Sequence, residues 1–302
     1  MDNSIISGAY DLHVHTAPDY ITRKLDDVEM AQRVNQSGMT GYAIKSHSGC
    51  TADRAHIINK MFPDCRAIGT LTLNNYQGGL NPLAVDIAAR MGIKIVWFPT
   101  TDSEAAFKGF SADPAKRNGY AGILWNLFDR NIRPSPVKVL DENGEVLPAV
   151  YDVLDVIHQY DLIMGTGHLT TPEVFALVKA AKKMNIRKTV ITHVSSKSPF
   201  RNVVGRDLRS LDVQRELLEY GVYMEHSGLP VLRGWLPAEE MIAQIRQAGP
   251  DRVLLSSDLG QADGKYPDEG FLEFCNRLVE GGLPEEDVRK MIVQVPAALL
   301  EF

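Results

Sequence analysis

The repeated alternation of short apolar segments with longer amphipathic ones limits the fold of this chain more than any other feature. Eight apolar segments are predicted as strands, and most are nearly continuous apolar runs, as in strands buried on both faces of a parallel sheet. They cover residues 10–15, 41–45, 66–73, 94–98, 162–168, 189–193, 222–226 and 252–258. Strands that alternate with helices in this way predict an α/β fold with right-handed crossovers. Eight units in 302 residues favour a (β/α)8 TIM barrel over an open sheet.

The amphipathic segments between the strands have the signals of helix starts and stops. Residues 26–36 carry their apolar residues on one stripe and end at Ser37-Gly38, a helix stop. Residues 172–184 begin with Pro172 in the first helical turn. Further helices are predicted over 212–220, 237–248 and 284–293. Strands and helices together make one predicted domain, residues 1–302.

One interval, residues 101–148 between the fourth and fifth strands, is longer than a helix and two turns require. It contains an aromatic-rich part and a hairpin over 137–147, in which Asn143-Gly144 is expected to supply the positive φ angles of a tight turn. A helix over about 149–160 leads into the fifth strand. Long barrel insertions usually lie beside the active site, so we expect a lid. The alternative is a decorative insertion or a contact surface in a homo-oligomer.

Composition excludes several classes of function. The formal net charge is −6 and no long basic run occurs, which argues against binding to nucleic acid or to an anionic membrane. No apolar run approaches the roughly 18–20 residues of a membrane span, and residues 1–10 lack the features of a signal peptide. The cysteines Cys50, Cys65 and Cys275 have no CxxC spacing and are expected to be free thiols. We therefore expect a cytoplasmic protein with a small-molecule substrate.

Six of the eight histidines lie at or just past the C-terminal ends of predicted strands. They are His13, His15, His47, His168, His193 and His226. In a (β/α)8 barrel all these ends meet at one mouth, where barrel enzymes carry out their chemistry. The other two, His56 and His158, fall in helical segments and are expected at the surface or in packing.

The pair His13 and His15 is the most specific of these signals, because positions i and i+2 of a strand point the same way. Both imidazoles can approach one ion, with Asp11 on the same face behind them. Three further candidates end other strands: His168, His193 and Asp258. A carboxylate such as Asp258 after an apolar run is costly to bury unless it is paired or bound to a metal. The set predicts a metal site, with hydrogen-bonded structural residues as the alternative.

Several other polar residues are candidates for the same mouth. Lys45 lies at the end of the second strand, and four roles are open for it. It can be a carbamylated ligand that bridges two ions, a cation that binds an anionic group, a Schiff-base former, or a lysine that extends to solvent. His47 is a candidate for a second metal site or for orienting the substrate, and Asp102 is a weaker candidate for the metal site. Four residues are candidates for binding an anionic group of the substrate: Lys45, His226, Arg201 and Arg206.

At these residues the chain resembles the amidohydrolase superfamily of metal-dependent hydrolases. The matching features are residues 11–15, His168, His193 and Asp258, together with a C-terminal segment in which Gln294-Val295 precedes Pro-Ala where the superfamily usually has Asn. Within the superfamily the chain is most similar to an uncharacterised group of bacterial and archaeal proteins. The motifs of that similarity lie at residues 44–47, 72–82, 96–100 and 257–261. The resemblance covers essentially the whole chain.

The resemblance implies a role for each residue at the mouth. It makes His13, His15, His168 and His193 metal ligands, and Asp258 both a ligand and the base that takes a proton from water. It implies one or two divalent ions, for which zinc suits imidazole and carboxylate ligands best, with manganese, iron and nickel as alternatives.

Many members with two ions carry a carbamylated lysine or a glutamate at the end of the fourth strand. This chain has Val-Trp-Phe-Pro-Thr there, at residues 96–100. Either Lys45, His47 or Asp102 takes that place, or the site holds one ion.

The favoured function is therefore hydrolysis of a small-molecule amide, cyclic amide, lactone or ester. Ser46-His47 is also similar to the Asp-His of the polymerase-and-histidinol-phosphatase (PHP) family, whose first strand likewise has Asp-x-His-x-His. A phosphoesterase of that type is the first alternative, although eight strands and Ser257-Asp258 favour the amidohydrolase interpretation. A metal-dependent decarboxylase, or a metal-binding protein without catalysis, is the second.

Overall fold

The described part of the chain, residues 4–112, 119–198, 201–202 and 206–301 of a computed structural model, has nine strands at its centre. They are β1 (Tyr10–Val14), β2 (Gly41–Ile44), β3 (Arg66–Ile68), β4 (Thr70–Thr72), β5 (Ile95–Trp97), β6 (Ile163–Gly165), β7 (Thr189–Ile191), β8 (Tyr223–Ser227) and β9 (Val253–Ser256). Every pair of neighbours is parallel. The orders are β1-β2-β3 in one sheet and β4 to β9 in sequence in the other.

The two sheets are parts of one barrel. β3 and β4 are halves of the predicted third strand and are separated only by Gly69, whose position leaves no room for a Cβ, since it would lie 2.9 Å from Ala52 Cα. At the other seam, the Asp258 N–H donates to His13 O (2.9 Å) and the His15 N–H donates to Leu259 O (2.8 Å). The predicted (β/α)8 barrel is confirmed, with a divided third strand.

The helices follow the strands in the order that the sequence predicts. They are α1 (Asp27–Ser37), α2 (Ala52–Met61), α3 (Pro82–Arg90), α4 (Glu104–Ala112), α5 (Gly119–Asp129), α6 (Pro148–Gln159), α7 (Thr171–Lys183), α8 (Leu211–Leu218), α9 (Leu229–Leu232), α10 (Ala238–Ala248), α11 (Pro267–Glu280), α12 (Glu285–Arg289) and α13 (Val295–Leu300). Short 3₁₀ turns lie at Ser4–Ile6, Asn75–Gln77 and Pro250–Arg252. α1 begins at a capping box formed by Asp26 and Glu29 and ends at Gly38 with φ 75°, as the sequence signals require.

One helix prediction needs correction. The single helix predicted over 284–293 is α12 followed by a π-helical turn, Lys290–Gln294, and then by α13. Pro296, near the start of α13, has no N–H to donate to a carbonyl one turn earlier, in keeping with the wider turn before it.

Two apolar layers hold the barrel together. Inside the barrel, residues such as Leu12, Ile95, Ile163 and Leu254 pack against one another, and Leu299 of α13 belongs to the same cluster. A larger cluster fills the space between the strands and the surrounding helices. Because successive side chains of a strand alternate between these layers, the strand register decides which residues reach the mouth.

The insertion after β5 consists of α4, α5 and a hairpin that precedes α6; its residues 113–118 lie outside the described residues. In the hairpin, the Asp141 N–H donates to Glu145 O (2.8 Å) and Leu140 pairs with Val146. The expectation of a positive φ at both Asn143 and Gly144 is wrong, since only Gly144 has one (81°). The loop is longer than two residues, and Asp141 Oδ1 accepts from the N–H groups of Asn143 and Glu145.

Two further observations concern the chain as a whole. The three cysteines are free, with Cys65 and Cys275 buried, as the sequence predicts. Among the described residues, no helix combines the length and the apolar character needed to cross a bilayer.

Candidate metal centre

Five imidazoles form a closed ring at the mouth of the barrel. The ring centroids are separated by 5.3 Å for His13–His15, 4.9 Å for His15–His47, 5.8 Å for His47–His168, 5.5 Å for His168–His193 and 4.7 Å for His193–His13. Two of them lie on or just after β1, and the others follow β2, β6 and β7. The structure therefore brings together five of the six histidines that end predicted strands.

The backbone is unusual where two of these candidates leave their strands. His193 and Asp258 have φ values of 50° and 56°, in the left-handed region that few residues other than glycine adopt. Such conformations are maintained only where the surrounding structure enforces them, and they are concentrated at functional sites. Gly260 allows the same loop to pass close to His15, since a Cβ there would lie 1.7 Å from His15 O.

The Asp258 carboxylate faces the same nitrogen atom, Nε2, of three ring histidines. Its Oδ1 lies 3.2 Å from His15 Nε2 and 3.4 Å from His13 Nε2, and its Oδ2 lies 3.8 Å from His193 Nε2. The possible ligand atoms of His13, His15 and Asp258 all lie within 4.8 Å of one another. Two imidazole nitrogens and a carboxylate oxygen at this spacing fit a divalent ion such as zinc.

Glu225 of β8 is a site residue that the sequence reasoning missed. Its buried carboxylate accepts from the ring of His13 (Oε1 to Nδ1, 2.8 Å), from Ser256 Oγ (2.9 Å) and from the backbone N–H of His193 (3.2 Å). Because a carboxylate only accepts, the proton of His13 lies on Nδ1, which leaves Nε2 unprotonated toward Asp258. A carboxylate that orients a metal-binding histidine in this way is common. Its signal in the sequence is an acidic residue inside an apolar strand.

Arg23, in the loop after β1, is a second residue that the sequence reasoning missed. Its Nη2 lies 2.6 Å from Asp19 Oδ2 and 3.3 Å from Nδ1 of His15. Because a guanidinium only donates, Nδ1 of His15 accepts from Arg23 while its proton lies on Nε2. An ion bound at Nε2 would displace this proton, so His15 would have to lose it or move it to Nδ1, away from Arg23. Arg23 follows a strand by several residues in a loop without periodicity, so no sequence pattern identifies it.

Lys45 extends its side chain into the ring and is almost completely buried. Its Nζ lies 3.1 Å from His13 Nε2 and 4.6 Å from the centre of the Trp97 ring. Burial lowers the pKa of Lys45 to about 8, because the charged amine is poorly solvated there. Trp97 is the last residue of β5, the fourth strand of the barrel. The amine from the second strand therefore lies over the end of the fourth strand.

His47 and Asp102 belong to a polar network beside the ring. Nδ1 of His47 lies 2.8 Å from Thr100 Oγ1, and Asn74 Nδ2 donates to both His47 O (2.8 Å) and Thr100 Oγ1 (2.8 Å). Asp102 is buried, and its Oδ2 accepts the backbone N–H of Asn75 (2.7 Å). Among the described residues, the two groups of possible metal ligands are His13, His15 and Asp258, and His13, His193 and Glu225; Asp102 belongs to neither.

Arg201 lies beside the site, but its donors are used by the backbone. Its Nε donates to Leu169 O (3.1 Å), its Nη1 to His193 O (3.3 Å), and its Nη2 to Gly167 O (3.2 Å) and Thr192 O (2.9 Å). The guanidinium thus fastens the loop that carries His193 to the loop that carries His168. The sequence-based expectation that Arg201 binds substrate is replaced by this structural role.

The structure does not bring Arg206 or His226 to the ring. Arg206 forms an ion pair with Glu216 and lies 4.0 Å above the Phe175 ring, outside the barrel. His226 is buried among the helices, because the preceding residue, Glu225, faces the barrel interior and successive strand residues face opposite ways. Neither is in position to bind substrate.

The model of one protein family, described as a family of unknown function, DUF6282, matches residues 8–225. This chain belongs to DUF6282. The matched region contains the five ring histidines, Lys45 and Glu225, whereas Asp258 lies beyond it. No curated protein matches the chain in sequence.

Solved structures resemble this DUF6282 protein along its whole length. An amidohydrolase from Pseudomonas aeruginosa has a TM-score of 0.64 at 11% identity, with 99% of this chain and 97% of that chain covered. A lactonase from Listeria monocytogenes has a TM-score of 0.56 at 15% identity, with 99% and 96% covered. A dipeptidase described as a metallopeptidase has a TM-score of 0.58 at 14% identity, with 98% of each chain covered. These structures share the fold of this chain, as the sequence motifs led us to expect.

All five ring histidines of the DUF6282 protein are uncharged at neutral pH. Burial lowers the pKa of His13 to about 3 and that of His193 to about 4, and it holds the pKa values of His15, His47 and His168 well below their usual range. The cations Lys45 and Arg23 act in the same direction on several of them. Neutral imidazole is the form that binds metal ions.

We predict that the metal-free DUF6282 protein loses stability as the pH falls from about 6.5 to 4. The six buried histidines, which include His226 with a pKa of about 3, stay neutral in the folded state while they take up protons in the unfolded chain near pH 6.5. Asp11, whose pKa burial raises to about 7, and Glu173, whose pKa burial also raises, act in the opposite direction but are two groups against six. Urea denaturation at pH 7 and pH 5 measures the effect, and an unchanged or higher midpoint at pH 5 would contradict it.

Replacing Glu225 with glutamine is expected to weaken metal binding by about 10–100-fold with little effect on the fold. The amide keeps the volume of the side chain but removes the charge that fixes the proton of His13 on Nδ1. Competition with a chromogenic chelator measures the affinity, and Glu239→Gln, an exposed glutamate on α10, is the control. Equal affinities of Glu225→Gln and the parent protein would show that Glu225 does not orient His13.

Proposed function

We propose that this protein is a metal-dependent hydrolase that cleaves an amide, cyclic amide, lactone or ester bond of a small molecule. The observation that carries the proposal is the ring of five neutral imidazoles with the Asp258 carboxylate against Nε2 of three of them. The solved structures named above as an amidohydrolase, a lactonase and a dipeptidase support it through their shared fold.

The residues that would hold the ion are those that the superfamily resemblance implies. We assign His13, His15 and Asp258 to a first ion, and His168 and His193 to the same ion or to a second one. Zinc suits this mixture of nitrogen and oxygen ligands, and manganese, iron and nickel are alternatives for the same set. A bound divalent ion would lower the pKa of water and polarise the bond to be cleaved.

The other steps belong to side chains of this protein. Asp258 is our candidate for the base: its carboxylate is 15% exposed and can accept the proton of the attacking water and return it to the leaving group. Glu225 keeps the proton of His13 on Nδ1, away from the reacting atoms. Arg201 holds the backbone on either side of the cavity that adjoins His168 and His193.

Lys45 is our candidate for the bridging ligand if two ions bind. Its Nζ is beside His13 Nε2, and its lowered pKa leaves part of the amine uncharged and able to add carbon dioxide, forming a carbamate with loss of a proton. Intact-mass measurement does not preserve a labile carbamate, so we propose ¹³C NMR of protein equilibrated with ¹³C-labelled bicarbonate and zinc. A carbamate signal absent from Lys45→Met would support the assignment, and no signal would point to one ion or another bridge.

A phosphoesterase is the second candidate function, because two cations, Lys45 and Arg23, contact the ring histidines and favour an anionic substrate. The deciding experiment loads the protein with zinc, manganese, iron or nickel and assays amides, lactones, cyclic imides, aryl esters and an aryl phosphate. The hydrolase proposal expects metal-dependent turnover of a carbonyl compound. Turnover of the aryl phosphate alone would favour the phosphoesterase. Bound metal without hydrolysis of any compound would overturn both and favour a decarboxylase or a metal-binding protein without catalysis.

A further inference from the structure

A cavity of about 650 Å³ opens beside the ring of imidazoles, on the side of His168 and His193. Asp258 also lines it, so the proposed base faces this space. Cavities that bind small molecules typically measure about 300–1,000 Å³. The part of a substrate that extends beyond the cleaved bond would therefore lie here.

The walls of the cavity away from the ring are largely apolar. Pro230, Trp235 and Leu236 contribute from the segment between β8 and α10, and Ala105 and Ala106 contribute from α4. α4 belongs to the insertion after β5, so the insertion forms one wall of the cavity. Its two alanines leave space that larger side chains would fill.

The two cationic side chains of the described cavity wall, Lys197 and Arg201, and the Ser195 hydroxyl already have partners. Ser195 Oγ donates to Gln244 Oε1 (2.8 Å), and Lys197 Nζ lies 3.4 Å from Glu240 Oε2. Arg201 donates to four backbone carbonyls. In this part of the wall, each lysine and arginine is thus engaged, so a charged substituent of a substrate would lose hydration and would have to compete with these partners.

Trp235 is the largest apolar residue of the wall, and its side chain is 61% exposed. An indole that borders an apolar cavity provides a flat surface on which an aromatic or branched aliphatic group can pack. Covering it removes apolar area from both partners, which is the main source of affinity in such cavities.

We infer that the substrate carries a bulky apolar group, aryl or branched alkyl, next to the cleaved bond, and that Trp235 determines this preference. The inference rests on the proposed hydrolase function. It predicts that esters, lactones or amides with a carboxylate or ammonium group in this position are poor substrates. It also gives the insertion a role in substrate selection through Ala105 and Ala106.

Two hydroxamates test the inference because they share a metal-binding group and differ in the attached substituent. Calorimetric titration of the zinc-loaded protein should show benzohydroxamate binding about tenfold more tightly than acetohydroxamate. Trp235→Ala should remove this advantage and leave the affinity for acetohydroxamate unchanged. Ala106→Phe, which fills the cavity and keeps Trp235, should do the same. Tyr76→Ala, at an aromatic residue 75% exposed and outside this wall, is the control and should behave like the parent protein.

The outcomes separate this inference from the function on which it rests. Equal binding of the two hydroxamates, or an advantage that survives in Trp235→Ala, overturns the apolar preference and leaves the metal centre intact. If neither hydroxamate binds, the proposed metal-dependent function fails. The apolar preference of the cavity is then tested by titrating benzyl alcohol into the metal-free protein. Benzyl alcohol should bind the parent protein about tenfold more tightly than Trp235→Ala. Equal affinities would overturn the inference.

Discussion

Replacing His193 with alanine is expected to abolish retention of the divalent ion while leaving the barrel folded. His193 closes the ring of imidazoles, with its centroid 4.7 Å from that of His13 and its Nε2 3.8 Å from Asp258 Oδ2. Loss of a direct ligand should weaken binding by more than the 10–100-fold that loss of an outer partner costs. The side chain is 14% exposed, and its ring hydrogen-bonds the Ser227 hydroxyl (Nδ1 to Oγ, 3.1 Å), so the loss of unfolding free energy should be small enough to leave the barrel folded.

Elemental analysis after dialysis against a chelator measures the retained ion, and circular dichroism with thermal unfolding confirms the fold. His158→Ala, at an exposed histidine on α6, is the matched control and should keep a full complement of metal. His13→Ala should also lose the ion, but it leaves the buried Glu225 carboxylate without its imidazole partner and should destabilise the fold as well. A His193→Ala protein with full metal content would remove His193 from the ligand set.

Replacing Asp258 with asparagine is expected to keep most of the metal and to lower kcat by about 10²–10⁴-fold, the usual contribution of a general acid or base. Asparagine retains an oxygen ligand near His15 Nε2 and His13 Nε2. It cannot accept a proton from water, so the attack step loses its base. The loss should appear in kcat with little change in KM.

Steady-state kinetics and metal analysis on the same preparation distinguish the two roles of Asp258. Asp263→Asn, at an exposed carboxylate a few residues along the same loop and paired with Arg233, is the control and should retain the parent rate. An unimpaired Asp258→Asn rate would exclude Asp258 as the base. A rate that falls only in proportion to lost metal would make Asp258 a ligand alone.

The sequence predicts the fold well because the strands are short apolar runs in regular alternation with helices. It also predicts which residues end the strands, and five of the six histidines found in this way form the ring. The exception, His226, depends on register. Glu225 and His226 are adjacent at the end of one strand, and only one of them can face the interior. Because side chains alternate along a strand, the sequence shows that Glu225 and His226 face opposite ways, but it does not show which of the two faces the barrel interior.

The remaining site residues come from parts of the chain without periodicity. Arg23 reaches His15 through the path of the loop after β1. Arg201 follows β7 at a distance that suits a substrate-binding arginine equally well, and its role emerges only from the carbonyl oxygens around it. The position of Lys45 over Trp97 likewise depends on how far its side chain extends across the barrel mouth.

The guanidinium of Arg201 has a consequence for how this protein can diversify. It donates to backbone carbonyl oxygens, which every amino acid supplies. The backbone of the loops that carry His168 and His193 is therefore held in place whatever side chains most of their positions have. Exchanges at exposed positions of these loops, such as Lys197, can alter the lining of the cavity while His168 and His193 keep their places. Substrate selectivity can therefore change without altering the residues that carry out the reaction, and laboratory evolution for new substrates can start from residues 196–198 of the cavity wall.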